Sequence, residues 1–469
     1  MLFSDKDLQQ IKSHGLDINN INQQIKNFNR GFPFVDIVKP AVSNDGVLLC
    51  DDKDIEKFIQ IYDAYAKTHK IVKFVPASGA ATRMFKDLFD FASSGNMNAT
   101  TEKTINNFDK FAFYDEIKPN NSDIIDGILN KYGNMPKGLI PFHKYKNITK
   151  TPVEEHLTEG AKYATSNNIV YIHFTVSPEH RQNFSELLNR IVPFYESEYG
   201  VKYDISMSEQ KKSTDTIAVN LDNTPFRNTD GSLLFRPAGH GALIENLNDI
   251  DSDLIFIKNI DNVSCYYSDT VKYKKLLAGI LVSVQSKVFD LIHKIDAGDT
   301  DVETVHNFIT NEIGIKLNSM LSMSEYKDIL NRPLRVCGVV KNSGEPGGGP
   351  FWVRDRNGKI SLQIVESSQI APESKDIMQK SEYFNPVDLV CGTKDYKGNK
   401  FDLTKYIDEN TGFISEKSKN GKTLRAMERP GLWNGAMANW NTILVSVPAS
   451  TFSPVKVLTD LLKDAHQVK

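Results

Sequence analysis

Apolar residues recur along this chain with two periods. At helical spacing, Ile55, Phe58, Ile59, Tyr62, Tyr65 and Ala66 follow Asp51 and Asp52, either of which can cap a helix ending near His69. Ser4-Asp5-Lys6-Asp7 can cap a shorter helix before it, so the first ~70 residues read as helical. A longer stripe consists of Leu277, Ile280, Leu281, Val284, Val288, Leu291, Ile292 and Ile295. Largely apolar runs predict buried strands at 70–75, 169–176 and 254–260. Later strands are expected at 335–341, 360–365, 389–392 and 442–447, and further helices at 83–91, 104–111 and 122–132. Another helix should begin at Ser177-Pro178, with Ser as N-cap and Pro at the first helical position. Strands alternating with helices predict an α/β core with a mostly parallel sheet. No internal repeat is visible.

Composition narrows the class. With 469 residues the chain can bury a large core as one large enzyme or about three domains. Hydrophobic residues at 40% and charged residues at 25% exclude a disordered, collagen-like or coiled-coil protein. Lys and Arg total 56 against 59 Asp and Glu, so no nucleic-acid partner or polybasic membrane anchor is expected. Cys50, Cys265, Cys337 and Cys391 form no C-x-x-C pair and suggest reduced thiols and a cytoplasmic protein. Residues 1–15 show no signal peptide, and no run of about 18 apolar residues predicts a membrane span. Oligomeric state is not readable.

Six segments can carry chemistry. Ala77-Ser78-Gly79-Ala80-Ala81-Thr82-Arg83 joins a strand to a helix, where small residues either pack tightly or let backbone N–H groups cradle phosphate beside Arg83. Pro136-Lys137-Gly138-Leu139 holds a lysine either in a plain turn or as a fixed phosphate contact. In Pro237-Ala238-Gly239-His240-Gly241, flanking glycines permit close approach to a flat ligand or simply make a turn. Asn259-Ile260-Asp261-Asn262 ends a strand with a carboxylate that can hold Mg²⁺ beside phosphates or form an Asx-turn. The glycine-rich run 341–350 is a lid, a ligand loop or a surface loop, and it precedes Val365-Glu366-Ser367-Ser368-Gln369. Last come Phe384-Asn385 and Phe452-Ser453-Pro454-Val455-Lys456.

In their order along the chain these segments resemble the motifs of the UDP-sugar pyrophosphorylase superfamily, the eukaryotic-type UTP–glucose-1-phosphate and UDP-N-acetylhexosamine uridylyltransferases, through a related bacterial family. The resemblance covers about residues 70 to 465. It implies a Rossmann-like core of the glycosyltransferase-A type, with helical insertions at 85–134 and 264–330. The expected organisation is an N-terminal helical segment (1–69), a nucleotidyltransferase core (70–392) and a C-terminal segment (393–469) completing the sugar-phosphate side.

It also implies a reaction, Mg²⁺-assisted attack of a sugar 1-phosphate on the α-phosphate of an NTP, UTP by analogy, releasing pyrophosphate. Arg83, Lys137 and Lys456 would be catalytic. Ser78, Gly79, Ala80, Ala81 and Thr82 would cradle the phosphates. Gly239, His240, Gly241 and Gln210 would line the nucleotide pocket, Glu366 and Asn385 would bind sugar, and Asp261 with Asp388 would hold metal. Two departures matter. Ser78 and Ala81 stand where the family has glycines, and a long segment separates Arg83 from Lys137. A non-catalytic sugar-nucleotide binder and a glycosyltransferase are the alternatives. The latter would use a D-x-D motif, of which Asp249-Ile250-Asp251, Asp251-Ser252-Asp253 and Asp299-Thr300-Asp301 are the matches weighed.

Overall fold

A computed structural model describes residues 3–79, 81–117, 124–344, 348–374 and 376–468. A ten-stranded sheet runs through the molecule, with most of its strands parallel. Leu254–Lys258, Ile71–Pro76, Ile169–Val176 and Lys202–Glu209 pair in parallel in that order. Leu334–Lys341, Asn441–Ser446 and Gly46–Leu48 do the same on the other side. Between the two groups lies Tyr383–Gly392, antiparallel to both Leu254–Lys258 and Leu334–Lys341. This is the mixed, mostly parallel sheet expected of the fold.

The alternation of side chains along each strand divides the core. On one face Val336, Val390 and Val445 meet Leu277, Ile280, Leu281 and Val284 of helix Ser268–Ala297. On the other, Phe74, Ile257, Cys337, Leu389 and Leu444 meet Leu243, Leu247, Leu432, Met437 and Trp440. Helix Ser268–Ala297 is long and apolar enough to cross a membrane by length and composition, a feature the search for an unbroken apolar run missed. Here its stripe is buried against the sheet.

The first 69 residues are not wholly helical. Helices Asp5–Ser13, Ile18–Arg30 and Asp52–Tyr65 form, but strands Asp36–Pro40, Val42–Ser43 and Gly46–Leu48 lie between them. Asp36–Pro40 edges a second, four-stranded sheet with Gly349–Arg354, Ile360–Val365 and Ile315–Lys316. Strand Tyr383–Gly392 starts six residues earlier than the apolar run alone indicates, because Asn385, Pro386 and Asp388 interrupt that run. Strand Lys202–Glu209 was not expected, although its odd and even positions alternate in exposure over most of its length. The expected helix at 104–111 is instead Ala99–Asn106 followed by a short turn, Phe108–Lys110. Ser177 makes no side-chain cap for the turn it precedes.

Candidate functional site

Parallel strands deliver their carboxyl ends to one edge of the sheet, where such folds bind ligands. The strand ends are tied to one another there. Ala77 N–H donates to Thr175 O at 2.9 Å, and Ile260 N–H donates to Pro76 O at 3.1 Å. Asp261 O accepts from Val455 N–H at 3.1 Å, and Asn262 Oδ1 accepts from Ser453 N–H at 2.8 Å. The C-terminal segment is thus laced to the end of strand Leu254–Lys258.

The segment between Arg83 and Lys137 folds back onto its starting point. Its helices Lys86–Ser94, Ala99–Asn106, Tyr114–Ile117 and Ile124–Tyr132 bury Leu88, Phe113 and Ile128 together with Val455, Leu458 and Leu461. Lys137 N–H then reaches Gly79 O at 3.4 Å. The Lys137 ammonium donates to Asp261 Oδ2 at 2.8 Å and to Val455 O at 2.6 Å. Asp261 therefore forms an ion pair, and Lys137 is a fixed charge. Four segments remote in sequence meet at this point. The side chain of Lys456 is exposed beside the Phe384 ring, 5.9 Å from its centroid.

The loop expected to cradle phosphate differs from expectation at one residue. Ala81 N–H donates to Met135 O at 3.1 Å, so that N–H is already engaged. The Ala81 methyl is buried among Met84, Phe85 and Ile140 and does not crowd the loop's outer side. Ser78, Gly79, Thr82 and Arg83 are exposed, and a Cβ on Gly79 would meet nothing within 4 Å. Ala80 lies outside the described residues.

Glycines 239 and 241 have a packing role. Gly239 has φ +77°, and a Cβ there would lie 2.5 Å from Glu428 Oε2, while one on Gly241 would lie 2.0 Å from Pro430 O. The glycines let the segment after strand Lys422–Glu428 pack against this loop. His240 stacks on Trp433 with centroids 4.0 Å apart, and its Nδ1 accepts from Leu432 N–H at 3.0 Å. Burial lowers the His240 pKa to about 4, so the ring is neutral with its proton on Nε2. Trp433 Nε1 donates to Glu366 Oε1 at 3.0 Å. Asn385 is buried, its N–H bonded to Gly348 O at 2.9 Å, which brings the glycine-rich run to the start of strand Tyr383–Gly392. Glu345, Pro346 and Gly347 of that run lie outside the described residues. Asn246 Nδ2 donates to Glu209 O at 2.8 Å and so joins the helix after Gly241 to the strand before Gln210. Gln210 itself bonds Asp215 Oδ1 at 3.4 Å.

Asp388 is not a metal ligand in this arrangement. It is buried and ion-paired with Lys274 beneath the sheet. Among the described residues no group of three or more His, Cys, Asp or Glu side chains could hold a metal ion. Of the two carboxylates expected at a metal, Asp261 is the one that lies at the carboxyl edge of the sheet, where it is paired with Lys137.

Sequence reasoning also missed helix Pro152–Tyr163. Glu159 accepts from Lys73 at 2.8 Å and Lys258 at 2.7 Å, all fully buried. His156 Nε2 lies 3.2 Å from Ile260 O, one residue before Asp261. Glu155 bonds His143 Nδ1 at 2.6 Å, and His143 Nε2 lies 2.8 Å from His466 Nδ1 in the C-terminal segment. Tyr145 and Tyr267 hydroxyls also donate to Glu155. The D-x-D matches lie elsewhere. Asp249, Asp251 and Asp253 precede strand Leu254–Lys258, at the opposite edge, and pair with Lys211 and Lys394. Asp301 caps helix Val302–Phe308.

A family model described as "Domain of unknown function (DUF4301)" matches residues 4–467. No curated protein matches the chain. Among solved structures, UDP-N-acetylglucosamine pyrophosphorylase from Trypanosoma brucei, in complex with an inhibitor, is similar with a TM-score of 0.52 and 11% identity, over 98% of this chain and 79% of that one. UDP-glucose pyrophosphorylase from Leishmania major has a TM-score of 0.48 and 13% identity, over 97% of this chain and 77% of that one. The first of these likenesses establishes the fold, which is the one that the order of the motifs implied.

Proposed function

This chain belongs to the DUF4301 family, and we propose that it is a nucleotidyltransferase that joins an NTP, UTP by resemblance, to a sugar 1-phosphate. The observation that carries this reading is the convergence of the Arg83 loop, Lys137, Asp261 and the Val455-Lys456 segment at the carboxyl edge of the sheet.

A phosphate monoester is already a nucleophile, so the protein needs to position two polyanions and offset their charge. An oxygen of the sugar phosphate attacks the α-phosphorus, the bond from that phosphorus to the bridging oxygen breaks, and pyrophosphate leaves. Arg83 contacts the β- and γ-phosphates, with Ser78, Gly79 and Thr82 around them. Lys137, held by Asp261 and Val455 O, meets the α-phosphate. Lys456 meets the incoming phosphate. Gly239, His240, Gly241 and Gln210 line the base side, and Glu366 and Asn385 the sugar side. Mg²⁺, held by Asp261 and the substrate phosphates, would supply further charge neutralisation at the α-phosphate.

The test is pyrophosphate release with Mg²⁺ from each NTP against a panel of sugar 1-phosphates. Release that requires one NTP and one sugar 1-phosphate supports the reading. NTP binding by calorimetry with no release across the panel selects the non-catalytic binder, which one observation favours: Ala81 N–H is already taken by Met135 O. The glycosyltransferase reading loses its metal motif, since the aspartates lie at the other edge of the sheet or cap a helix.

A further inference from the structure

Trp433 lies in the segment Pro430-Gly431-Leu432-Trp433-Asn434-Gly435, between strands Lys422–Glu428 and Asn441–Ser446. No motif marks it in the sequence. The segment is fastened to two loops that the proposed function assigns to different substrates. Toward the nucleotide loop, Arg429 N–H donates to Ala238 O at 3.0 Å, and Leu432 N–H donates to His240 Nδ1 at 3.0 Å. The Trp433 ring lies flat on the His240 ring, with 13° between their planes. Gly431 permits that approach, since a Cβ there would lie 2.6 Å from His240 Cε1. Toward the sugar loop, Trp433 Nε1–H donates to Glu366 Oε1 at 3.0 Å. Asn434 Nδ2 donates to Gln369 Oε1 at 2.8 Å, and the same oxygen accepts from Glu366 N–H at 2.9 Å. One indole thus touches both loops.

The backbone of Trp433 is anchored as well. Arg335 donates Nη1–H to Trp433 O at 2.6 Å and Nε–H to Thr442 Oγ1 at 2.9 Å. It is fully buried, and among the described residues no carboxylate pairs with it. A buried guanidinium without a counter-charge is costly to place, and what this one holds is the Trp433 carbonyl. Glu366 is the group that gains. Its carboxyl is partly buried, and the indole hydrogen bond opposes the effect of that burial and favours the charged form. A carboxylate offers about four acceptor positions, of which the indole takes one.

We infer that Trp433 is a positioning residue: stacked on His240 and held through its carbonyl, it aims Nε1–H at Glu366 and so fixes the carboxylate that accepts hydroxyls of the sugar. This rests on the nucleotidyltransferase reading, which puts the base at His240 and the sugar at Glu366. Trp433 acts through Glu366 and not on the reacting atoms. Phenylalanine keeps a ring to stack on His240 and lacks only the N–H donor, so its cost falls on the sugar side alone.

The experiment is calorimetric binding of UDP, which fills the base side, and of UDP-glucose, which adds the sugar, to the full chain and to its W433F, E366A and W433F/E366A variants. W433F should weaken UDP-glucose about tenfold and UDP by less than about twofold. E366A should do the same. In the double variant W433F should cost less than about twofold more than E366A alone, because the indole has no carboxylate left to aim at. A ring that only supports the fold would weaken both ligands, and its effect would add to that of E366A. Should W433F fail to fold, E366D keeps the charge but withdraws it from the indole, and should weaken UDP-glucose while sparing UDP. Equal losses for the two ligands, no loss for either, additive losses in the double variant, or no binding of either ligand by wild type overturns the inference. The reaction is scored separately by pyrophosphate release. Selective, non-additive losses without release keep the inference and remove the reaction, and release with additive losses does the reverse.

Discussion

Asp261 sits where a strand end, a lysine and the C-terminal segment meet, so its charge does more than its backbone. Asp261→Asn keeps the shape and the Val455 N–H to Asp261 O bond. It should abolish pyrophosphate release while the melting temperature stays near that of wild type. Lys456 has its side chain exposed beside the Phe384 ring. Lys456→Ala should lower kcat/KM for the sugar 1-phosphate by an amount equivalent to about 1.5–3 kcal/mol, the scale of a hydrogen bond to a charged group. An unchanged kcat/KM would remove Lys456 from the site. The meeting of the Arg83 loop, Lys137, Asp261 and the Val455-Lys456 segment was foreshadowed because each stands in a short motif and the motifs come in order. Asp388 misled because composition cannot say to which side of a strand a carboxylate points. Lys274, distant in sequence, claims it from below the sheet. Glu428 and Trp433 were illegible for the opposite reason, since their neighbours in space are remote in the chain.

At the scale of elements, helix Pro152–Tyr163 is a polar brace. Thr151 and Glu154 close a capping box at its start, with Pro152 in the first turn. The face it buries carries Glu155, His156 and Glu159, and each reaches a different part of the site's foundation. Burial alone would favour the neutral forms, but the two ammonium groups beside Glu159 hold its carboxyl well below the usual range. Glu159→Gln leaves two buried lysines sharing no carboxylate and should cost about 3–5 kcal/mol of stability, measured by denaturant unfolding. The helix escaped sequence reasoning because a buried face made of Glu, His and Thr does not show apolar periodicity. Strands Ile169–Val176 and Leu254–Lys258 were legible for the converse reason, as nearly unbroken apolar runs.

For the molecule as a whole, several histidines are built in as neutral groups. Burial lowers the His173 pKa to about 4 and the His466 pKa to about 3, and His240 behaves as His173 does. His173 is held between Ser206 and Ser208 hydroxyls, each at 2.7 Å, with Asp249 as a weak opposing charge. In the unfolded chain these rings protonate near pH 6.5. Between pH 6.5 and 4 the unfolded state therefore binds more protons, and stability falls as pH drops through that window. The melting temperature should decline from pH 7 to pH 4, and His173→Gln should flatten part of that decline.

Strand Tyr383–Gly392 has a consequence for how the chain reaches this state. It is synthesised after both strands it separates, Leu254–Lys258 and Leu334–Lys341. Until it inserts, each of those strands presents an open edge of unpaired N–H and C=O groups, and the second half-sheet is completed only by Asn441–Ser446, which follows it in the chain. The step that joins them is a late, long-range event with a high cost in chain entropy. Refolding from denaturant should show a slow phase during which the chain is prone to self-association, and that phase should lengthen when Leu389 or Val390, buried at the strand's centre, is replaced by alanine. Concentration-dependent refolding yields, followed by light scattering, would reveal it.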